Sequence, residues 1–370
     1  MARNRRLFGV AGVQSTTARI LDANGNRGRE ALRVLEDYAR FELNDGVLTE
    51  LIKTARHALT TAMGGWVDLI IRARDSEHDV GRVIETESEY QRAGTCDVAV
   101  AAAKRAAEAL RVMEEYAKTI DADRARSFER LRYTVYDIEH ALAIRIQARV
   151  RLGTMRLYVL LTESWCRRPW LETANEVIAG GADCIQLREK SLPDHELLAR
   201  AKALAERCRA ANVLFVVNDR PDIARLSHAH GVHIGQDDMS VRDVRRIIGP
   251  DGLVGLSTHT IDHVRRAAAD SPDYIAVGPM FQSKTKPQDR VPGPALLAAA
   301  CAETSLPMVA IGGIGTDNVA DVLQAGASCI CVCGAIVACD HPRNATAALK
   351  SRILAAEISA SNKGSVHAVQ

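Results

Sequence analysis

The 370-residue chain has no apolar run approaching the ~18 residues that a transmembrane helix needs. No long apolar region follows its basic start, so no secretory signal is expected and a cytoplasmic setting is the default expectation. There is no surplus of charge: 48 Lys and Arg stand against 46 Asp and Glu. That balance argues against bulk electrostatic binding to nucleic acid or to acidic membranes. The nine cysteines form no disulfide framework and no Cys-x-x-Cys knuckle. Cys329, Cys331 and Cys333 alternate, which on a strand puts them on one face. With no Cys-x-x-Cys knuckle among them, they read as small core residues in a reduced compartment. Two phosphate-binding signatures are also missing. There is no Gly-x-x-x-x-Gly-Lys-Ser/Thr loop, and the glycine-rich turn of dinucleotide folds does not follow the first β-like run.

The length allows two or three domains, and the hydrophobic rhythm changes once. Residues 15 to about 150 carry apolar residues at helical spacing among Ala, Arg, Glu and Leu. The segment Glu-Ala-Leu-Arg-Val-Leu-Glu-Asp-Tyr-Ala-Arg at 30–40 recurs at 108–118 as Glu-Ala-Leu-Arg-Val-Met-Glu-Glu-Tyr-Ala-Lys. A repeat of this kind predicts two similar helical hairpins packed as an all-α bundle over 1–150. Leu32, Leu35, Ala39 and their counterparts Leu110, Met113, Ala117 fall on core faces. Arg27, Glu30, Arg33 and Arg105, Glu108, Arg111 form a neighbouring charged stripe. It is either a wet face of ion pairs or a charged pocket across the pseudo-twofold axis. Arg74, Asp75, Asp79, Val80 and Gly81 make a polar joint between the hairpins that could loop over such a pocket.

From Met155 onward, eight short β-like runs alternate with amphipathic helical stretches. The runs are 155–161, 184–187, 214–217, 232–234, 253–256, 274–277, 308–311 and 329–332. Eight β/α units predict a (β/α)8 TIM barrel over 151–370, preceded by the helical bundle domain; an open doubly wound sheet is the competitor.

Active sites of such barrels lie at the C-terminal strand ends. There the second run delivers Gln186, Arg188 and Lys190 by alternation, donors suited to a polyanion. The third ends in Asn218-Asp219, the fourth leads to Asp238 and the fifth to Ser257. Two carboxylates beside a phosphate are the usual way of holding Mg²⁺, although Asp at strand ends also serves as a loop cap. The sixth run opens into Ser283, Lys284, Thr285 and Lys286. Gly312-Gly313 and Cys333-Gly334 at the last two strand ends suggest a backbone phosphate cup. One pyrophosphate and one monophosphate at neighbouring positions would suit a transfer between two phosphorylated substrates.

With these motifs in order, from Gln-Leu-Arg-Glu-Lys through Val-Asn-Asp-Arg, Gly-Val-His-Ile-Gly-Gln-Asp-Asp and Gly-Leu-Ser-Thr-His to Ile-Gly-Gly-Ile, the second half resembles the thiamine phosphate synthase family. That family joins hydroxymethylpyrimidine diphosphate to a thiazole phosphate using Mg²⁺, and releases pyrophosphate. The resemblance implies that Gln186, Arg188, Lys190, Asn218, Ser257 and Lys286 contact the pyrimidine diphosphate and that Asp219 and Asp238 hold Mg²⁺. It also implies that Ser283, Lys284, Thr285, Gly313, Cys333 and Gly334 cradle the thiazole phosphate. Arg188, Lys190, Ser257 and Lys286 would be the catalytic set. Two positions depart from the family pattern: Gln282-Ser283 stands for Pro-Thr, and Gly334 for Ser. The first half resembles a helical domain fused to this synthase in some bacteria and linked to phosphorylation of hydroxymethylpyrimidine phosphate. The alternative is a thiazole tautomerase-type barrel, with the helical half a dimerisation or regulatory module. The sequence is compatible with an oligomer of identical chains.

Overall fold

The computed structural model describes residues 15–75, 77, 79, 91–249, 251–283 and 290–367, with side chains to 358. Its contacts divide the chain into two units, Met1–Ile146 and Gln147–Gln370.

In the first unit the doubled segment forms the C-terminal part of α1 (Ser15–Asp37) with a short π-turn, Tyr38–Glu42, and of α4 (Thr95–Ala117). The expected core residues Leu32, Leu35, Ala39, Leu110, Met113 and Ala117 are all buried. Each copy runs into a second helix, α2 (Gly46–Met63) and α5 (Ala122–Thr154), with α3 (Val67–Ala73) after the first pair. Helices α1 and α4 pack closely because small residues face each other. Ala99, Ala102, Ala103 and Ala106 line α4, while a Cβ at Gly28 of α1 would sit 3.1 Å from the Leu59 side chain and 3.8 Å from Ala109. Asp45 starts α2, accepting from the amides of Val47 and Leu48 at 3.0 Å each. It also receives Arg145 of α5 at 2.8 Å, both side chains buried.

The second unit is a closed barrel of eight parallel strands in sequence order. They are β1 (Leu157–Leu161), β2 (Cys184–Leu187), β3 (Leu214–Asn218), β4 (Gly231–Ile234), β5 (Leu253–Thr258), β6 (Tyr274–Val277), β7 (Met308–Ile311) and β8 (Cys329–Val332). Around them run α6 (Trp170–Ala179), α7 (Asp194–Ala210), α8 (Pro221–Ser227), α9 (Val241–Ile248), α10 (Ile261–Asp270), α11 (Pro294–Glu303), α12 (Val319–Gln324), α13 (Gly334–Val337) and α14 (Pro342–His367).

Alternation sorts the strand residues. Leu157, Val159 and Leu161 join the apolar layer under the helices, while Tyr158 joins Cys184, Leu214, Val216, Leu253, Tyr274, Val309, Cys329 and Cys331 inside. The interior cysteines are buried and free, and burial pushes the thiols of Cys184, Cys329 and Cys331 up, as core residues should behave. Ala148, Leu152 and Met155 pack into the same interior cluster. Met155 therefore belongs to this packing segment rather than to the first strand. Among the described residues, no helix is long and apolar enough to cross a membrane.

Candidate active site

All eight strands of the barrel contribute to one cavity of about 1010 Å³. It is lined by Gln186, Arg188, Lys190, Asn218, Asp219, Asp238, Ser257, Ser283, Gly313, Cys333 and Gly334. Lys284, Thr285 and Lys286 lie outside the described residues.

Strand β2 ends at Leu187, whose side chain packs under the helices, so Gln186 points inward and is buried. The chain then leaves the sheet with the Arg188 amide donating to Leu161 at 2.9 Å. The Arg188 guanidinium makes no hydrogen bond or salt bridge among the described residues, so it is available to an anion. Glu189, between the two cations, turns away: its Oε1 accepts from the Glu163 amide at 2.7 Å, tying the β1 and β2 loops together. Lys190 reaches back to Asp219, 3.3 Å from Nζ to Oδ2.

Asp219 takes a left-handed backbone conformation, φ 62°, and its amide donates to the His233 carbonyl at 2.8 Å. Burial raises its carboxyl pKa, the neighbouring Asp238 carboxylate raises it further, and Lys190 opposes both. The Asp238 Oδ2 accepts from the Gly235 amide at 2.6 Å. Two hard oxygen donors held against each other's charge are a suitable donor set for Mg²⁺ that shares its remaining positions with phosphate and water. Among the described residues no three His, Cys, Asp or Glu side chains gather into a complete protein cage. The donor set thus fits a cation that arrives with an anionic substrate.

The opposite wall is built by backbone. Gly312 and Gly313 sit at φ 103° and 66°, and a Cβ at Gly313 would lie 2.4 Å from the Gln282 carbonyl oxygen and 2.7 Å from that of Phe281. Only glycine lets the β7 loop approach the β6 loop this closely. Asn318 braces the turn, accepting from the Gly315 amide and donating to the Gly313 carbonyl, each at 2.9 Å. The helices that follow, α12 and α13, have six and four residues. The cup at this end is therefore mainly a loop structure.

Sequence reasoning passed over the barrel's interior hydrogen bonds. Gln186 Nε2 donates to the Tyr158 hydroxyl at 2.7 Å, and Tyr158 lies 3.0 Å from the Tyr274 hydroxyl. Tyr274 lies 3.1 Å from Nδ1 of His233, whose Nε2 lies 2.9 Å from Ser257 Oγ. Burial depresses the His233 pKa to about 4, so its imidazole is neutral near pH 7. An inward register for the strand tyrosines was the available signal.

In the first unit two arginines of the charged stripe make i,i+3 ion pairs with carboxylates beyond it. Arg33 pairs with Glu36 at 3.5 Å and Arg111 with Glu114 at 2.9 Å. Glu36 and Glu114 are equivalent residues of the repeat, and both are buried. From the following helices Arg56 and Arg132 donate to them at 2.8 Å. Burial raises each carboxyl, but the arginine hydrogen bonds and charges outweigh it and hold both below the usual range. Arg74 of the expected joint donates to both oxygens of Asp22 at 2.7 Å. Val80 and Gly81 lie outside the described residues.

Two family models match parts of the chain. The family model described as thiamine monophosphate synthase matches residues 157–336, and that of the ThiD2 family matches residues 19–141. A thiamine-phosphate synthase of Rhodopirellula baltica is 43% identical over 331 residues, covering 87% of this chain and 88% of its own length. That of Thermosynechococcus vestitus is 38% identical over 338 residues, covering 90% and 94%. Among solved structures, thiamine phosphate pyrophosphorylase from Pyrococcus furiosus superposes with a TM-score of 0.52 at 31% identity. It spans 56% of this chain and 98% of its own.

Proposed function

The chain belongs to the thiamine-phosphate synthase family and is a transferase, and on that premise we propose how its residues carry the reaction. The substrates are 4-amino-2-methyl-5-hydroxymethylpyrimidine diphosphate and 4-methyl-5-(2-phosphoethyl)thiazole; the products are thiamine phosphate and pyrophosphate. One observation carries this reading: a single cavity joins a cationic and carboxylate wall at β2–β4 to a glycine wall at β6–β8.

Arg188 and Lys190, with Lys286, hold the diphosphate and stabilise the charge that develops as the methylene C–O bond breaks. The bonding pair leaves with pyrophosphate, and the electron-rich aminopyrimidine stabilises the cationic carbon. The thiazole nitrogen then donates its pair to that carbon. Gln186, Asn218 and Ser257 hold the pyrimidine, while Ser283 to Thr285, Gly313, Cys333 and Gly334 hold the thiazole phosphate. Rate comes from this positioning, with no protein nucleophile. Asp219 and Asp238 would hold Mg²⁺, which would supply neutralising charge for the leaving group. The cationic set and the Asp pair weigh against the tautomerase alternative, which has no diphosphate to bind. Nine cysteines, each free where described, accord with a cytoplasmic setting.

To the helical unit we assign phosphorylation of hydroxymethylpyrimidine phosphate, the step that makes the diphosphate. The support is the ThiD2 family match and the paired Arg–Glu clusters of the repeat. The deciding experiment follows thiamine phosphate made by the full chain in two reactions with Mg²⁺ and thiazole phosphate. One supplies the pyrimidine diphosphate without ATP, the other the monophosphate with ATP. Product in both is expected. No product from the diphosphate would refute the synthase mechanism, and product from the diphosphate alone would refute the kinase assignment.

A further inference from the structure

We propose that Tyr158, Tyr274 and His233 are positioning residues that fix which way round the Gln186 amide and the Ser257 hydroxyl face the substrate, and so make the site select an amino over an oxo pyrimidine. The proposal rests on the synthase reading above and deepens it.

The four hydrogen bonds form one unbroken chain through the barrel interior, Gln186–Tyr158–Tyr274–His233–Ser257. Each phenol has one proton to give, and an imidazole that accepts at one nitrogen carries its proton on the other. Where every link passes its proton along the chain, the direction at one end sets the direction at the other. With Gln186 Nε2 donating to Tyr158, that sequence has Tyr158 donating to Tyr274 and Tyr274 to Nδ1 of His233. His233 then carries its proton on Nε2 and donates it to Ser257 Oγ. At the two ends Gln186 keeps Oε1 out of the chain and Ser257 keeps its own proton, and both residues line the cavity. The site thus offers a substrate an acceptor on one side and a donor on the other. A ring with an exocyclic amino group beside an unprotonated nitrogen matches that pair. The oxo analogue, with a carbonyl beside an N–H, inverts it.

The fold makes room for this chain. Gly255 of β5 lies between His233 of β4 and Tyr274 of β6, and a Cβ there would sit 2.4 Å from the Tyr274 hydroxyl and 2.5 Å from His233 Nδ1. Any side chain would break the central link. Both tyrosines are 1% exposed, so water does not compete for their hydroxyls.

The test compares kcat/KM for the 4-amino and 4-oxo pyrimidine diphosphates with saturating thiazole phosphate, using the full-length wild type, Tyr158→Phe, Tyr274→Phe and the double variant. Each Phe removes one oxygen and keeps the ring. The wild type should strongly prefer the amino substrate, because a site built around one hydrogen-bonding group rejects analogues that leave its buried partners unpaired. Each variant should lose tenfold or more of that preference, and the double variant no more than either single, since all interrupt one chain. An unchanged preference in folded Tyr158→Phe overturns the proposal. Independently of any variant, ¹⁵N NMR of the wild type should find a histidine protonated on Nε2 that loses this signature in His233→Gln; His233 protonated on Nδ1 overturns the proposal. No product from the wild type with the amino substrate would instead bring down the synthase reading, and this proposal with it.

Discussion

Asp219 combines a left-handed backbone, a lysine contact and a neighbouring carboxylate at one position. Its raised pKa means that the folded protein without Mg²⁺ binds a proton there more tightly than the unfolded chain does. Ionising it therefore costs stability as pH rises from the ordinary Asp value of about 3.9 through the raised value. A bound Mg²⁺ would remove that cost. Thermal melts with and without Mg²⁺ should accordingly differ more near pH 7 than near pH 5. In Asp219→Asn the difference should shrink at both, with Mg²⁺ affinity in the synthase assay down at least ~10-fold, the smaller end of what even outer-shell changes cost. Equal melts at both pH values would refute the metal assignment. Much of this wall was legible in sequence, because Gln186, Arg188 and Lys190 alternate off a strand that ends where the apolar run ends. Tyr158 and Tyr274 were not. A strand tyrosine reads as wall material until the register brings two of them, 116 residues apart, across the barrel interior.

At the scale of elements, four strands fall where the apolar runs put them: 184–187, 274–277, 308–311 and 329–332. Strand β5 runs on to Thr258, whose polarity masked the extension; its hydroxyl donates to the Ala276 carbonyl at 3.0 Å, so the barrel wall satisfies it. The buried carboxylates of the helical repeat were illegible for a related reason, since Glu in a charged helix is normally solvated and only the following helix brings Arg56 or Arg132 over it. Removing one partner of a buried pair strands the other's charge, at roughly 3 kcal/mol or more. Glu114→Ala should reach that figure because Arg132 is 9% exposed, and Glu36→Ala should cost less because Arg56 is 23% exposed and can rehydrate. Both carboxyls have depressed pKa values, so this contribution is present above about pH 4.3 and is lost as pH falls below it. Urea unfolding followed by circular dichroism at pH 7 and pH 3.5 checks the order and the sign. In the barrel, Gly313→Ala adds a Cβ against two carbonyl oxygens at positive φ. It should raise KM for the thiazole phosphate while leaving KM for the pyrimidine diphosphate within about twofold, a separation that steady-state kinetics measures directly.

For the molecule as a whole, the two rhythms of the sequence correspond to two units with separate cores. The cavity draws every lining residue from the second unit. A solved family structure spans only 56% of this chain yet 98% of its own, which argues that a barrel of this kind folds without a helical partner. A fragment of residues 147–370 should therefore keep the synthase activity of the full chain toward the pyrimidine diphosphate and lose all product from monophosphate and ATP. The starting point matters, because helix α5 continues to Thr154 and its last turns supply Ala148 and Leu152, with Met155 just beyond, to the barrel's interior cluster. Starting at residue 156 deletes these buried groups, and truncating one buried Leu or Met side chain alone typically costs about 2–5 kcal/mol. The shorter fragment should melt well below the longer one, or aggregate through its exposed interior, although its cavity residues are the same. Equal melting temperatures would mean that the barrel closes without this segment. Loss of synthase activity from a well-folded 147–370 fragment would mean that the helical unit contributes to the transfer step itself.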